Sequence, residues 1–377
     1  MDIRVLLKIM VQKGASDLFI TAGVAPSFKL NGKMMPIAQS VLPADKAEQL
    51  VVGVMDEKQL AEFYEHRECN FAIEYQGIGR FRVSAFVQRG HAGMVLRRIE
   101  TEIPSIEQLN LPKVTAPLSL TKRGLIVVVG ATGSGKSTSL AAMIGNRNEK
   151  TSGHIITIED PIEFIHPHKN CIVSQREVGV DTESFEVALK NTLRQAPDVI
   201  LIGEVRSRET MEYAINFAET GHLAMCTLHA NNANQALDRI IHFFPEDRRQ
   251  QLLMDLSLNM KAIIAQQLLP AKNGKGRRLA AEILINTPFV SELIRRGEVH
   301  KIKDIMKRSR ELGMQTFDQA LYDLYQADEI TAETALAHAD SANEVRLMIK
   351  LGTGEVETSG DGAGDGPKPD AGNLSLM

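Results

Sequence analysis

Apolar positions follow two regimes along this 377-residue chain. In the first, to about residue 110, helical and extended spacings mix: a 3.6-residue period predicts helices over 2–12, 44–55 and 57–66, with extended pieces at 17–21 and 27–30. Two alternating strands follow, Phe71-Ile73-Tyr75 and Phe81-Val83-Ala85-Val87, separated by a turn at 76–79. The second strand carries Arg80 and Arg82 on its other face, so one face packs while two guanidinium groups point outward. Residues 102–120, with three prolines, read as a linker.

In the second regime, mainly apolar runs at 125–129, 154–158, 199–202 and 223–228 are separated by helical stretches. Strands with no polar face are buried on both sides, which is the pattern of a parallel sheet covered by helices. A long helix is expected over 246–268, with Pro245 at its start and Pro270 just past its end. A further strand at 279–285 leads into helices that run to about residue 350. The expected class is therefore α/β, divided as 1–101, a linker 102–120, 121–287, a helical region 288–350 and a tail 351–377.

Composition narrows the class. Hydrophobic content of 44% and charged content of 24% suit a globular chain. No run approaches the roughly eighteen continuous apolar residues of a membrane span, and the amphipathic start MDIRVLLKIMVQKG is unlike a signal peptide. The chain is expected to stay in the cytoplasm without stable membrane insertion. Cys69, Cys171 and Cys226 are too few and too scattered for a disulfide framework, in keeping with a reducing compartment. The formal charge of −4 is located in the tail, where five acids face one base, and seven glycines and two prolines make that tail read as disordered. The neutral remainder lacks the basic excess of a nucleic-acid binder, and no nucleic-acid partner is expected.

The chemistry begins at GLIVVVGATGSGKST, a phosphate-binding loop between an apolar strand and a helix. Gly130, Ala131, Thr132, Gly133, Ser134, Gly135, Lys136, Ser137 and Thr138 form the cradle. The glycines let backbone N–H groups wrap an anion, and the helix from Lys136 aims its positive end at the same point. Lys136 would reach the β- and γ-phosphates and Ser137 would ligate Mg²⁺, which makes the chain a nucleotide triphosphatase. In PDVILIGEVRSRE, Glu204 ends a strand and could stand near Mg²⁺. In ITIEDPIEF, Glu159, Asp160 and Glu163 crowd one strand end; crowding raises carboxyl pKa values, and Glu163 is the preferred base for an attacking water. His222 and His229 flank the strand of TGHLAMCTLHANNA, each open to a contact with the γ-phosphate or a neighbouring subunit, or to a purely structural role. The run His166-Pro167-His168-Lys169-Asn170-Cys171 lacks a second ligand pair elsewhere, so no zinc is assigned to it.

Taken together, GATGSGKST, ITIEDPIEF, LRQAPDVILIGEVR and TGHLAMCTLHANNA resemble the four boxes of the secretion ATPase superfamily, in its type IV pilus retraction branch, the PilT/PilU group. The resemblance covers roughly residues 1–345 and leans to the accessory, PilU-like members. It implies a PAS-like α+β N-terminal domain joined to a RecA-like P-loop ATPase domain with a helical C-terminal region, in a homohexamer that takes ATP and Mg²⁺. It also implies Glu163 as general base, Glu204 as the second acid, His222 and His229 as box histidines, and Arg82 with Arg97 as the arginines that complete a site. Exposed surface arginines are the plainer reading of that pair. The implied function is pilus retraction and twitching motility at the cytoplasmic face of the inner membrane, with a PilT-like partner motor and an inner-membrane platform protein. Two departures from the family pattern are Ser207 after Arg206, where Asp is usual, and FVSELIRRGE in the late region. The alternatives are a non-hydrolytic coupling subunit, a PilT-type primary motor, an assembly or secretion ATPase, and a RecA-like nucleic-acid motor.

Overall fold

Helix α1 (Ile3–Lys13) starts where it does because the Asp2 carboxylate accepts the Arg4 N–H, and it stops at Gly14, which takes the left-handed φ of 66°. Its buried face is Ile3, Leu6, Leu7 and Met10. The structure, a computed structural model, describes residues 2–30, 33–37, 39–99 and 102–353. Strands β1 (Asp17–Thr21), β2 (Ser27–Leu30) and β3 (Lys33–Pro36) follow, then helices α2 (Ala44–Val52) and α3 (Glu57–His66). Asp56 and Gln59 form a reciprocal capping box at the start of α3. Strands β4 (Glu68–Tyr75), β5 (Gly79–Gln88) and β6 (His91–Arg98) complete an antiparallel six-stranded sheet in the order β3-β2-β1-β6-β5-β4. The alternation expected for β5 is present: Phe81, Val83 and Ala85 are buried, while Arg80 and Arg82 stand half-exposed on the other face.

Helix α4 (Thr115–Ser119) lies inside the stretch expected to be a linker. The second sheet is built from β7 (Gly124–Val129), α5 (Lys136–Lys150), β8 (Gly153–Glu159), β9 (Cys171–Glu177), α6 (Phe185–Thr192), β10 (Val199–Ile202), α7 (Arg208–Glu219), β11 (Leu223–Leu228), α8 (Ala233–His242), α9 (Glu246–Asn259), β12 (Met260–Pro270) and β13 (Arg277–Ile285). Its order is β13-β12-β7-β11-β10-β8-β9, parallel throughout except for the β12–β13 hairpin. All residues of β7, β10 and β11 are buried. Leu125, Val127 and Val129 enter the hydrophobic core on one face of the sheet, and Ile126 and Val128 enter the core on the other. This is the RecA-like arrangement, with the carboxyl ends of the parallel strands aligned at one edge.

The helix expected over 246–268 is corrected: α9 ends at Asn259, and residues 260–270 form β12 between β7 and β13. A strand covered on both faces carries the same continuous apolar run as a buried helix, so the spacing could not separate them. The helix expected to reach residue 55 stops at Val52, and β3, β6 and β9 were not foreseen.

Helices α10 (Pro288–Arg295), α11 (Ile302–Arg308), α12 (Phe317–Gln326), α13 (Ala332–His338) and α14 (Ala342–Thr353) form the C-terminal region. Val290, Ile302, Phe317, Leu321, Ala335 and Val345 join the same core as the inner face of β7 and β11, so this region is packed into the ATPase unit rather than appended to it. The tail assigned to disorder lies outside the described residues from 354 onward. Cys69, Cys171 and Cys226 are all free and buried. Among the described residues no helix is long and apolar enough to cross a membrane.

Candidate active site

The loop after β7 is closed by backbone geometry that side chains would block. Gly130 has φ 153°, and a Cβ there would lie 2.4 Å from Ser134 Oγ and 2.6 Å from the Gln266 carbonyl of β12. Gly135, in the left-handed region at φ 89°, precedes α5 without any side-chain cap. The first N–H groups of that fifteen-residue helix are thus left for an anion. Lys136 Nζ donates to the Gly130 and Ala131 carbonyls at 2.9 and 3.0 Å, clasping the loop on itself. Burial lowers the Lys136 pKa, while the carboxylates of Glu204 and Glu163 oppose that shift.

A cleft of about 520 Å³ opens above this loop, at the carboxyl edge of the sheet. Glu163, Glu204 and His229 line it together with Lys136 and Ser137, so the structure brings these five expected residues together. Glu204 follows β10 through Gly203, where an added Cβ would meet Glu159 Cα at 3.0 Å. One Glu204 oxygen accepts from Arg206 at 2.7 Å and the other faces His229 Nε2 at 3.0 Å. Burial pushes the Glu204 carboxyl up, but Arg206, His229 and Lys136 outweigh it and hold it below the usual carboxylate range. In the neighbouring acidic cluster the raised carboxyl is that of Glu159: burial pushes it up to about 7, against donation from Thr157 at 2.6 Å and from Gln175.

Three residues are placed differently. His222 precedes β11 at its amino end, the edge of the sheet away from the phosphate loop, and its Nδ1 faces Thr220 Oγ1 at 3.1 Å and the Phe217 carbonyl. A six-residue strand is about 20 Å long, so within one chain His222 does not reach the cleft that His229 lines. Arg82 of β5 and Arg97 of β6 are adjacent partners in the first sheet and line a smaller hollow of about 280 Å³ with Thr138 and Glu163. Glu163 therefore faces both the phosphate cleft and the arginine-bearing sheet. Arg97 is engaged within its own sheet, its Nε 2.7 Å from the buried Asp17 carboxylate.

Sequence reasoning missed two cations here. Arg206 also stands 3.6 Å from Asp160, and its signal was the i,i+2 spacing from Glu204 in an extended segment. Arg277 lines the cleft and reaches the Gly133 carbonyl at 3.5 Å. It arrives through the hairpin register that pairs Pro270 with Arg277, which no reading with a helix over 246–268 could have produced.

Residues 2–335 match the family model described as Type II/IV secretion system protein. The chain is 67% identical over 353 residues to the type IV pilus ATPase PilU of Pseudomonas aeruginosa, covering 94% of this chain and 92% of that protein. It is 41% identical over 335 residues to the type IV pilus retraction ATPase PilT of the same organism, covering 89% and 97%. The crystal structure of the pilus retraction motor PilT with bound ADP superposes with a TM-score of 0.87 at 41% identity, covering 92% of this chain and 99% of that one. With a RecA-like sheet, a glycine loop clasped by Lys136 and an acidic edge at Glu204 already in place, the chain belongs to the Type II/IV secretion system protein family, and it is an ATPase of that family.

Proposed function

We propose that this chain is a hexameric, Mg²⁺-dependent ATPase that drives type IV pilus retraction and twitching motility, acting as the accessory, PilU-like motor beside a PilT-like partner. The observation that carries the reading is the convergence of Glu163, Glu204 and His229 on Lys136 in one cleft. The loop N–H groups and Lys136 would hold the β- and γ-phosphates of ATP. Ser137 and Glu204 offer oxygen donors of the kind Mg²⁺ prefers, and the ion when bound would neutralise charge on the phosphates. Glu163 would orient a water and accept its proton as the water oxygen bonds to the γ-phosphorus and the bond to the ADP oxygen breaks. His229, held by Glu204, would sense whether the γ-phosphate is present. The ring would sit at the cytoplasmic face of the inner membrane and turn closure of its clefts into movement of the pilus platform protein. Deletion of the gene should weaken retraction under load, and the purified chain should hydrolyse ATP. Normal retraction at every load together with an inert protein would sink the proposal.

The two arginines should separate by measurement. Arg82→Ala is expected to lower turnover roughly 10²-fold at an unchanged thermal midpoint, through loss of a cation beside Glu163. Arg97→Ala leaves Asp17, 3% exposed, with Ser16 Oγ at 2.8 Å as its remaining side-chain partner. Because the Arg97 side chain is 64% exposed, its loss should cost on the order of 1 kcal/mol, read as a lower melting midpoint. A midpoint that falls for Arg82→Ala and not for Arg97→Ala would reverse these roles.

A further inference from the structure

Glu282 on β13 is 2% exposed, forms no direct ion pair among the described residues, and has no part in the chemistry above. One of its oxygens accepts the Ala233 N–H at 2.7 Å and the other accepts the Phe317 N–H at 3.4 Å. These are the first residues of α8 and α12. Both helices already have their own caps, Asn232 Oδ1 accepting the Gln235 N–H and Thr316 forming a capping box with Gln319, so the carboxylate is an additional tie between them. The contacts extend in both directions. Ala233 lies four positions after His229, which faces Glu204. Beyond Phe317, the buried Asp318 accepts the Asp340 and Ser341 N–H groups that lead into α14, and Asp340 pairs with Lys303 of α11 at 2.5 Å. The start of α12 is also pinned to β13 by the Gln315–Ile283 bridge.

We propose that Glu282 is a positioning residue that ties the His229 loop to the C-terminal helices, so that a change at the γ-phosphate end of the cleft moves α8 and α12 together. Two helix amino termini aimed at one carboxylate favour its charged form. Burial works against them and pushes the carboxyl up to about 7. A buried carboxyl that accepts an N–H from each of two rigid elements resists their separation more strongly than either cap alone. The tie rests on the ATPase assignment and extends it from the cleft to the C-terminal helices.

The test is hydrogen exchange on the full chain, with and without a non-hydrolysable ATP analogue whose binding is measured in parallel. In the wild type the analogue should change exchange at residues 229–236 and 315–321 together. In Glu282→Gln, whose amide nitrogen would oppose one of the two N–H donors, the first segment should respond alone. Turnover should then fall about tenfold to a hundredfold with KM altered less than about threefold. A variant that keeps the joint response overturns the tie whatever its rate. If Glu282→Gln does not fold, the wild-type chain decides: a response confined to one segment, or absent despite bound analogue, overturns it as well. A wild type that neither binds nor hydrolyses nucleotide would refute the ATPase assignment itself and this coupling with it.

Discussion

Replacing Lys136 by alanine is expected to bring ATP hydrolysis down to background, a loss of roughly 10⁴-fold. The side chain has two tasks in the structure. It closes the loop through bonds of 2.9 and 3.0 Å to the Gly130 and Ala131 carbonyls, and it places a cation at the first residue of α5. Burial weakens its hold on the proton, and Glu204 and Glu163, the carboxylates that would act on the substrate, offset that loss only in part. Alanine removes both the clasp and the charge. Lys136→Arg should not rescue activity, because a planar guanidinium cannot reproduce a compact ammonium between two loop carbonyls. Sedimentation of both variants should match the wild type, since no core contact is lost. Turnover within about threefold of wild type in Lys136→Ala would remove this loop from the mechanism.

Glu163→Gln should separate binding from chemistry. Glu163 borders the cleft beside Lys136 and also the hollow beneath Arg82 and Arg97, so it stands where a water attacking the γ-phosphate could be approached from the arginine-bearing sheet. The amide keeps the size of the side chain and loses the ability to take a proton. Turnover is expected to fall about 10³-fold to 10⁴-fold, with nucleotide affinity unchanged within about threefold. Glu204→Gln gives the contrast: it disrupts the contacts with Arg206 and His229 and with them the support of the cleft, so affinity should fall along with rate. If Glu163→Gln retains turnover while Glu159→Gln loses it, the base is the neighbouring carboxyl, whose pKa burial pushes up to about 7.

How far residues alone lead depends on whether a signal is local. The runs at 199–202 and 223–228 coincide with β10 and β11, because a strand covered on both faces needs a mainly apolar run and a glycine or turn at its end. The loop 130–138 is equally local, its glycines being required by positive φ and close approach. The acids at 204 and 163 were legible as residues at strand ends, and their meeting with Lys136 needed only the rule that parallel strands present their carboxyl ends at one edge. The same rule places His222 at the opposite edge, as its position just before the run at 223–228 already implied. β12, Arg277 and Glu282 were not legible. Each depends on a strand pairing or a helix terminus contributed from a distant segment, and pairing registers such as Leu268 with Leu279 leave no trace in local spacing.

The three cysteines, buried at Cys69, Cys171 and Cys226, have a practical consequence. Burial raises the Cys226 thiol to about 12 and the Cys69 thiol to about 11, so the reactive thiolate is scarce at both, and Cys171 is shielded by packing against Thr151 and Arg147. The natural chain is therefore a quiet background for maleimide chemistry. A single Lys275→Cys at the exposed tip between β12 and β13 would carry a dye beside the segment that Lys272 joins to the Glu329 carbonyl. Movement of the C-terminal helices could then be followed optically, one turnover at a time, with every native cysteine left in place.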